Sequence, residues 1–174
     1  KLRFKFKIHR LNQLIENIIY ELQPVFDQKN IQIEFHKPDY NTRCICDHYK
    51  IEQVLRNIIV NAVKFNRENG FIKISISKTD QTYQGSTYHF FQIKIEDGGI
   101  GIPEQELESI FNKFIQSSKT KTGTGGTGLG LSICKEILLY HKGKIWAENS
   151  EDTGAIFNFT VPSDKNNIMD FIPR

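Results

Sequence analysis

Two amide side chains and one ammonium group recur on one side of a predicted helix. Asn57, Asn61 and Lys64 are spaced at i, i+4 and i+7, which places them within about 60° of one another around the helix axis. Asparagine carbonyls are hard oxygen ligands for a partly hydrated Mg²⁺, and a lysine beside them suits phosphate oxygens. A solvated polar helix face is the ordinary alternative, and this pattern alone does not decide between the two.

A carboxylate and several glycines follow a predicted strand, in the segment Asp97-Gly98-Gly99-Ile100-Gly101-Ile102. A carboxylate at a strand end can accept a hydrogen bond from an amine. Glycines beside it let the backbone approach a ligand closely and leave room for a flat ring. A glycine-rich turn without any ligand is the alternative.

A second glycine-rich segment runs from Gly123 to Leu131, directly before a predicted helix. Glycines at such a position expose backbone N–H groups that favour phosphate. The dinucleotide fingerprint requires a preceding strand, whereas a polar, lysine-containing loop precedes this segment. The chain also lacks a Walker-type Gly-Lys-Ser/Thr sequence. The segment therefore indicates a phosphate-binding loop outside a Rossmann unit.

Hydrophobic periodicity predicts the elements that would position these residues. Helices are predicted over 11–28, 47–65, 103–114 and 128–140, with Pro24 as a kink or stop and Asp47 as an N-cap. Strands are predicted over 2–8, 31–35, 44–46, 72–76, 88–96, 144–148 and 155–161, with polar loops over 80–87 and 116–127. Because neighbouring strands read as antiparallel, the order favours an α/β (α+β) two-layer sandwich with a mixed, mostly antiparallel sheet and about three helices on one face.

Size and composition exclude several classes of protein. A length of 174 residues suits one domain, and a net charge of +3 with scattered basic residues argues against a nucleic-acid surface. No apolar run is long enough to span a bilayer. Cys44, Cys46 and Cys134 have neither disulfide-framework nor zinc-site spacing, which favours buried thiols in a reducing compartment such as the cytoplasm.

The three segments, taken in this order and with Phe111 and Phe114 between them, closely resemble the N, G1, F and G2 boxes of the histidine kinase catalytic domain. Its superfamily includes gyrase-type ATPases, heat-shock chaperones and mismatch-repair ATPases. The resemblance covers about residues 10–162, and the stretches 110–116 and 143–148 are similar to histidine kinases specifically. It implies a Bergerat-type fold with a flexible ATP lid over roughly 115–127.

The resemblance also implies a role for each matching residue. Asn61 would bind Mg²⁺ with Asn57 beside it, Lys64 would contact phosphate, and Asp97 would accept a hydrogen bond from the adenine amine. Asn57, Asn61 and Lys64 are thus the expected catalytic positions. The other expected ATP-binding residues are Gly99, Gly101, Ile102, Phe114, Lys119, Lys121, Gly126, Thr127, Gly128, Leu129 and Gly130.

The implied activity is transfer of the γ-phosphoryl group of ATP to a histidine on a separate dimerisation domain. Hydrolytic relatives carry a water-activating glutamate at the start of the N box, where this chain has Asn57, which cannot act as a base. None of the five histidines has the acceptor context. Residues 1–10 are therefore expected to be a connector, 11–162 the catalytic domain and 163–174 a tail or linker.

The implied partners are the phosphoacceptor dimerisation domain and a response-regulator receiver domain. We expect the isolated domain to be monomeric and the parent to be a homodimer, which is compatible with a membrane anchor. Two alternatives are a serine or dehydrogenase-type kinase of the same superfamily and a non-catalytic ATP-sensing module. The F box and the 143–148 stretch weigh against the first. The intact Asn61, Asp97 and G2 glycines weigh against the second.

Overall fold

Helices cover one face of a β-sheet in this computed structural model, which describes residues 3–118 and 127–172. Short 3₁₀ turns occupy Glu104–Glu106, Ser109–Phe111 and Ile168–Asp170. The helices and strands, in chain order, are β1 (Lys7–Arg10), α1 (Leu11–Glu21), α2 (Gln23–Gln28), β2 (Gln32–His36), β3 (Arg43–Cys46), α3 (His48–Lys64), β4 (Phe71–Tyr83), β5 (Ser86–Asp97), α4 (Gly130–Tyr140), β6 (Ile145–Asn149) and β7 (Ala155–Pro162).

The main sheet has the strand order β2–β4–β5–β7–β6, and β1 and β3 form a separate antiparallel pair. In the main sheet β2 and β4 are parallel, and the other neighbouring pairs are antiparallel. Alternate strand residues point to one face, where Ile74, Ile93, Ile95 and Phe159 are buried. This architecture confirms the predicted two-layer fold with a mixed, mostly antiparallel sheet.

The helices follow from their apolar spacing and their caps. Pro24 interrupts the first predicted helix, because α1 ends at Glu21 and Pro24 lies in the first turn of α2. The Asp47 side chain accepts a hydrogen bond from the Lys50 amide at 3.3 Å, which confirms the predicted N-cap of α3. This cap fixes where the helix that carries Asn57, Asn61 and Lys64 begins.

The predicted loop over residues 80–87 is wrong. The strands β4 and β5 continue to Tyr83 and from Ser86, and Gln84-Gly85 alone forms the turn. Both turn residues have positive φ, at +49° and +80°, which suits a two-residue hairpin turn. The polar composition misled the prediction because this end of the hairpin extends beyond the core and faces solvent.

The predicted helix after Pro103 is also wrong. Two 3₁₀ turns take its place, of which the second buries Ile110 and Phe111, and Asn112 is extended at φ −82° and ψ 150°. Phe114 has φ +63° and is 73% exposed, and it therefore does not continue the predicted core stripe. A related difference occurs at α4, which begins at Gly130 because Gly128 has φ +72° and cannot be part of a right-handed helix.

The buried residue His141 joins the C-terminal end of α4 to the N-terminal end of α3. Its Nδ1–H donates to the Ile137 carbonyl at 2.7 Å, and its Nε2 accepts from the Asp47 amide at 3.1 Å. Burial lowers the pKa of His141, although the Ile137 carbonyl and the Asp47 carboxylate oppose that shift. The ring is therefore a neutral structural link and not an exposed acceptor of phosphate.

Both ends of the chain contribute to a second, smaller core, formed by Phe6, Ile45, Phe90 and Phe171. We expected residues 163–174 to be a tail or linker, but Phe171 is only 4% exposed and packs in this cluster. The Nζ atom of Lys142 lies 5.1–5.3 Å from three ring centroids, those of Tyr83, Tyr88 and Phe171. Phe171 and Ser163 are therefore buried parts of the fold.

Two further observations concern cysteines and membrane spans. Cys44, Cys46 and Cys134 are buried free thiols, as the sequence predicts. Burial raises the pKa of Cys134 to about 12, so this thiol is protonated at neutral pH. Across the described ranges 3–118 and 127–172, no helix has the length and apolar character of a membrane span.

Candidate functional site

A cavity of about 260 Å³ lies between α3, the loop after β5 and the N-terminal end of α4. It brings together many of the residues that the sequence predicts for a nucleotide site. Those residues are Asn61, Lys64, Asp97, Gly101, Ile102, Thr127, Gly128 and Gly130. Ile115, Gln116 and Ser117, at the start of the predicted lid, also line the cavity. The lining residues that the prediction did not name for the site are Phe65, Ile100, Ile110, Leu131, Ala155 and Phe157.

Helix α3 contributes Asn61 and Lys64 to one wall of the cavity. The helix buries Val54, Leu55 and Ile58 against the core, which turns its polar stripe towards the cavity. Among the described residues, the side-chain amide of Asn61 has no hydrogen-bond partner, and its Oδ1 atom is available to a ligand. An amide oxygen is a suitable donor for Mg²⁺, which keeps most of its remaining ligands as water and phosphate oxygens.

Asn57 lies on the same stripe as Asn61 but does not line the cavity. Its Nδ2 donates to the Gly130 carbonyl at 3.4 Å and approaches Cys134 Sγ at 3.7 Å. Asn57 therefore ties α3 to the first turn of α4, and its role in this geometry is to position that turn.

Asp97 presents a buried carboxylate at the end of β5, with 4% of its surface exposed. Its Oδ1 accepts hydrogen bonds from the amides of Gly99 at 2.8 Å and Ala155 at 3.2 Å. These are the bonds to this carboxylate within the described residues, and they leave Oδ2 to a ligand. Burial raises the pKa of Asp97, while the two amide bonds oppose the shift. The two bonds to Oδ1 hold the carboxylate in a fixed orientation, so Oδ2 can accept a hydrogen bond from a donor group on a ligand.

The loop from Gly98 to Ile102 is held by contacts on both sides. The Ile100 amide donates to the Phe65 carbonyl at 3.3 Å, and Gly99 packs against that carbonyl so tightly that a Cβ would collide with it. On the other side, Asn149 bonds both the N–H and the carbonyl of Ile102. Sequence reasoning did not single out Asn149, because one asparagine at a strand end carries no recognisable pattern.

Thr127, Gly128 and Gly130 line the cavity where α4 begins. A helix start there directs backbone N–H groups and the positive end of the helix dipole towards the cavity, which favours phosphate. The Gly128 carbonyl accepts from the Phe114 amide at 3.0 Å, and the Phe114 ring itself does not line the cavity. Leu129 also lies outside the lining, and the predicted Lys119, Lys121 and Gly126 lie outside the described residues.

Residues 46–165 match the family model described as histidine kinase-, DNA gyrase B-, and HSP90-like ATPase. The chain belongs to this ATPase family. The match includes α3, the Asp97 loop and α4, which are the elements that form the cavity. Family and fold therefore agree with the resemblance that the sequence motifs indicate.

Proteins similar to this chain include sensor histidine kinases. The adaptive-response sensory kinase SasA of Prochlorococcus marinus (strain MIT 9301) is 37% identical over 153 residues, which are 87% of this chain and 39% of that protein. The sensor histidine kinase WalK of Bacillus subtilis (strain 168) is 35% identical over 167 residues, 92% of this chain and 26% of that protein. The chain thus spans less than half of the length of these relatives.

Solved structures of histidine kinases have the same fold. A nucleotide-free catalytic domain of the histidine kinase ThkA superimposes with a TM-score of 0.75 at 32% identity, covering 91% of this chain and 98% of that domain. ThkA in complex with the response regulator protein TrrA gives a TM-score of 0.72 at 31% identity, covering 92% of this chain and 42% of ThkA. The chain therefore contains an ATPase domain of the kind found in two-component sensor kinases.

Proposed function

We propose that this ATPase domain binds Mg-ATP and donates the γ-phosphoryl group to a histidine on a separate dimerisation domain. The observation that carries the proposal is that Asn61, Asp97 and the start of α4 all line one cavity. A carboxylate acceptor, an amide oxygen and a helix N-terminus match the amine, the metal-bound phosphates and the free phosphate oxygens of one nucleotide.

The base end of the proposed site contains Asp97 and the glycine loop that follows it. The free Oδ2 of Asp97 would accept a hydrogen bond from the exocyclic amine of adenine. Guanine has a carbonyl oxygen at that ring position, and two acceptors would then face each other without a proton between them. The proposed contact therefore selects ATP over GTP.

The phosphate end of the proposed site contains Asn61, Lys64 and the first turn of α4. Asn61 would hold Mg²⁺, which neutralises phosphate charge when it is bound. The backbone N–H groups at the start of α4 and the Lys64 ammonium would bind the remaining phosphate oxygens. Lys119, Lys121 and Gly126 are proposed to contribute from the lid.

Phosphoryl transfer needs little covalent chemistry from the protein, because catalysis consists mainly of positioning and charge stabilisation. A histidine nitrogen of the acceptor domain would attack the γ-phosphorus, and the bond to the β-γ bridging oxygen would break to release ADP. Asn57, which replaces the water-activating glutamate of hydrolytic relatives, donates to the Gly130 carbonyl. An amide there holds α4 in place and does not activate water.

A reconstitution experiment tests the proposal. The domain is mixed with a histidine-bearing dimerisation domain from a related sensor kinase and with ATP labelled on the γ-phosphate. We expect an acid-labile label on the partner, and we expect it to be lost with Asp97→Asn or Asn61→Ala in this chain. Label that is stable to acid would indicate a serine kinase, and binding of ATP without any transfer would indicate a nucleotide sensor.

A further inference from the structure

The side-chain amide of Asn149 bonds both polar backbone groups of Ile102. Asn149 Oδ1 accepts from the Ile102 N–H at 2.8 Å, and Asn149 Nδ2 donates to the Ile102 carbonyl at 2.6 Å. One side chain thus replaces the pair of hydrogen bonds that a neighbouring strand would supply. The Ile102 side chain is buried and lines the cavity, so the amide fixes a wall of the site.

The glycine loop needs such an anchor because its backbone is intrinsically mobile. Gly98, Gly99 and Gly101 lose more conformational entropy on ordering than other residues would, and Gly101 has φ +71°. A Cβ placed on Gly101 would lie 3.0 Å from Asn149 Oδ1, which shows that the amide packs directly on this glycine. Phe65 anchors the loop at Ile100, and Asn149 anchors its far end.

The segment that begins with Asn149 also holds the carboxylate of Asp97. It folds back through a Ser150 N–H to Gly154 carbonyl bond of 3.0 Å and ends at Ala155, whose N–H donates to Asp97 Oδ1. Gly154 packs against the Asp97 carbonyl so closely that any side chain there would collide with it. The turn between β6 and β7 therefore bonds the carboxylate at one end and the glycine loop at the other.

We propose that Asn149 is a positioning residue that sets the distance between the glycine loop and Asp97, and so defines the width of the pocket for the adenine base. This role deepens the proposed function and rests on it. Asn149 acts through Ile102 and Gly101 and does not line the cavity itself. Its effect therefore falls on the base end of the nucleotide and not on the phosphates.

The chain contains a matched control for this proposal. Asn166 bonds the backbone of His89 in the same way, with Oδ1 accepting from the His89 N–H at 2.9 Å and Nδ2 donating to its carbonyl at 2.7 Å. His89 does not line the cavity. Asn149→Ala and Asn166→Ala both remove such a pair, from a backbone at the site and from a backbone away from it. Asn166 Nδ2 also donates to the Ser163 carbonyl at 2.8 Å, so the control variant loses one hydrogen bond more than the test variant.

The experiment measures the Kd for ATP by calorimetry, together with the Tm, for the parent, Asn149→Ala and Asn166→Ala. We expect Asn149→Ala to weaken ATP binding about 5- to 30-fold, the effect of losing one to two neutral hydrogen bonds that order the site. We expect Asn166→Ala to lower the Tm and leave the Kd within about twofold. The affinity of Asn149→Ala for ADP should fall by the same factor as its affinity for ATP, with or without Mg²⁺, because the substitution acts at the base end of the nucleotide.

Three results would overturn the proposal: an unchanged Kd in Asn149→Ala, an equal loss in Asn166→Ala, or a loss that depends on Mg²⁺. Asn149→Ser keeps one hydrogen-bonding group and should lose less ATP affinity than Asn149→Ala. If Asn149→Ala does not fold, Asn149→Ser is measured in its place. A parent domain that binds no ATP would contradict the proposed function instead. Hydrogen exchange of residues 98–102 then tests the clamp, and exchange equal in parent and variant would refute it.

Discussion

The most informative single substitution in this domain is Asp97→Asn. The Oδ1 atom of Asp97 accepts two backbone N–H groups, from Gly99 and Ala155. An asparagine would keep its carbonyl oxygen in that position, because the opposite orientation would turn its NH₂ towards two donors. The NH₂ group would then replace Oδ2 and meet the adenine amine, which places a donor against a donor.

The structure sets the size of this effect. A hydrogen bond to a charged group contributes about 1.5–3 kcal/mol, and its loss corresponds to roughly 10- to 150-fold weaker ATP binding. Burial raises the pKa of Asp97. The free energy of unfolding therefore falls as pH rises through the folded-state pKa of this group and its carboxylate ionises. Replacing it by a neutral amide should leave the Tm of the ligand-free domain unchanged or slightly higher at pH 7.

The assay combines displacement of a fluorescent ATP analogue with thermal unfolding of the ligand-free protein. Glu96→Gln is the matched control, because it removes the same charge from the preceding residue, which points to the other face of the sheet. Glu96 Oε1 accepts from the Ser150 hydroxyl at 3.1 Å, and the glutamine amide oxygen can keep that bond to the turn between β6 and β7. We expect Glu96→Gln to bind ATP like the parent. Parent-like ATP affinity in Asp97→Asn would refute the assignment of Asp97 as the acceptor for the adenine amine. A large fall in the Tm of the ligand-free variant would refute the argument that the buried charge does not stabilise the fold.

Substitutions at three other positions test separate parts of the structure. Asn61→Ala should bind ATP equally with Mg²⁺ and with EDTA in calorimetry, and a retained response to Mg²⁺ would contradict the ligand assignment. Burial lowers the pKa of His141, so the free energy of unfolding should fall as pH drops below about 6.5. His141→Asn should flatten that slope in urea titrations, and an unchanged slope would contradict it. Lys142→Ala should lose about 1–2 kcal/mol of stability with its cation–π contacts. Lys142→Gly should lose less stability than Lys142→Ala, because the backbone at position 142 has φ +55°, which glycine adopts more readily than alanine. Equal losses in the two variants would contradict that argument.

The fold and much of the site could be predicted from sequence because their determinants are local. The Asp47 cap, the interruption at Pro24 and the stripe of Asn61 and Lys64 each follow from residue type and spacing within one or two helical turns. The cavity lining agrees with the prediction for Asp97 and the glycines at the start of α4. Periodicity and capping are therefore sufficient to predict these elements.

The features that the sequence did not predict depend on long-range contacts or on unusual backbone. Phe114 reads as a helical core residue, but its positive φ and its bond to Gly128 turn it outward. Asn57 shares the stripe of Asn61, yet a contact 73 residues along the chain directs it to Gly130. Asn149 has no sequence signal, since its partner Ile102 lies 47 residues away. Such pairings are fixed by tertiary packing and not by local pattern.

The small cluster around Phe6 and Phe171 has a practical consequence for any shortened version of the domain. A protein cut after Pro162, where the motifs end, would lose Phe171 and leave Phe90, Ile45 and the Lys142 stem uncovered. Trimming before Lys7 would remove Phe6 from the same contacts. Contiguous exposed apolar surface promotes self-association, so either truncation should give oligomers in light scattering although every nucleotide motif is intact.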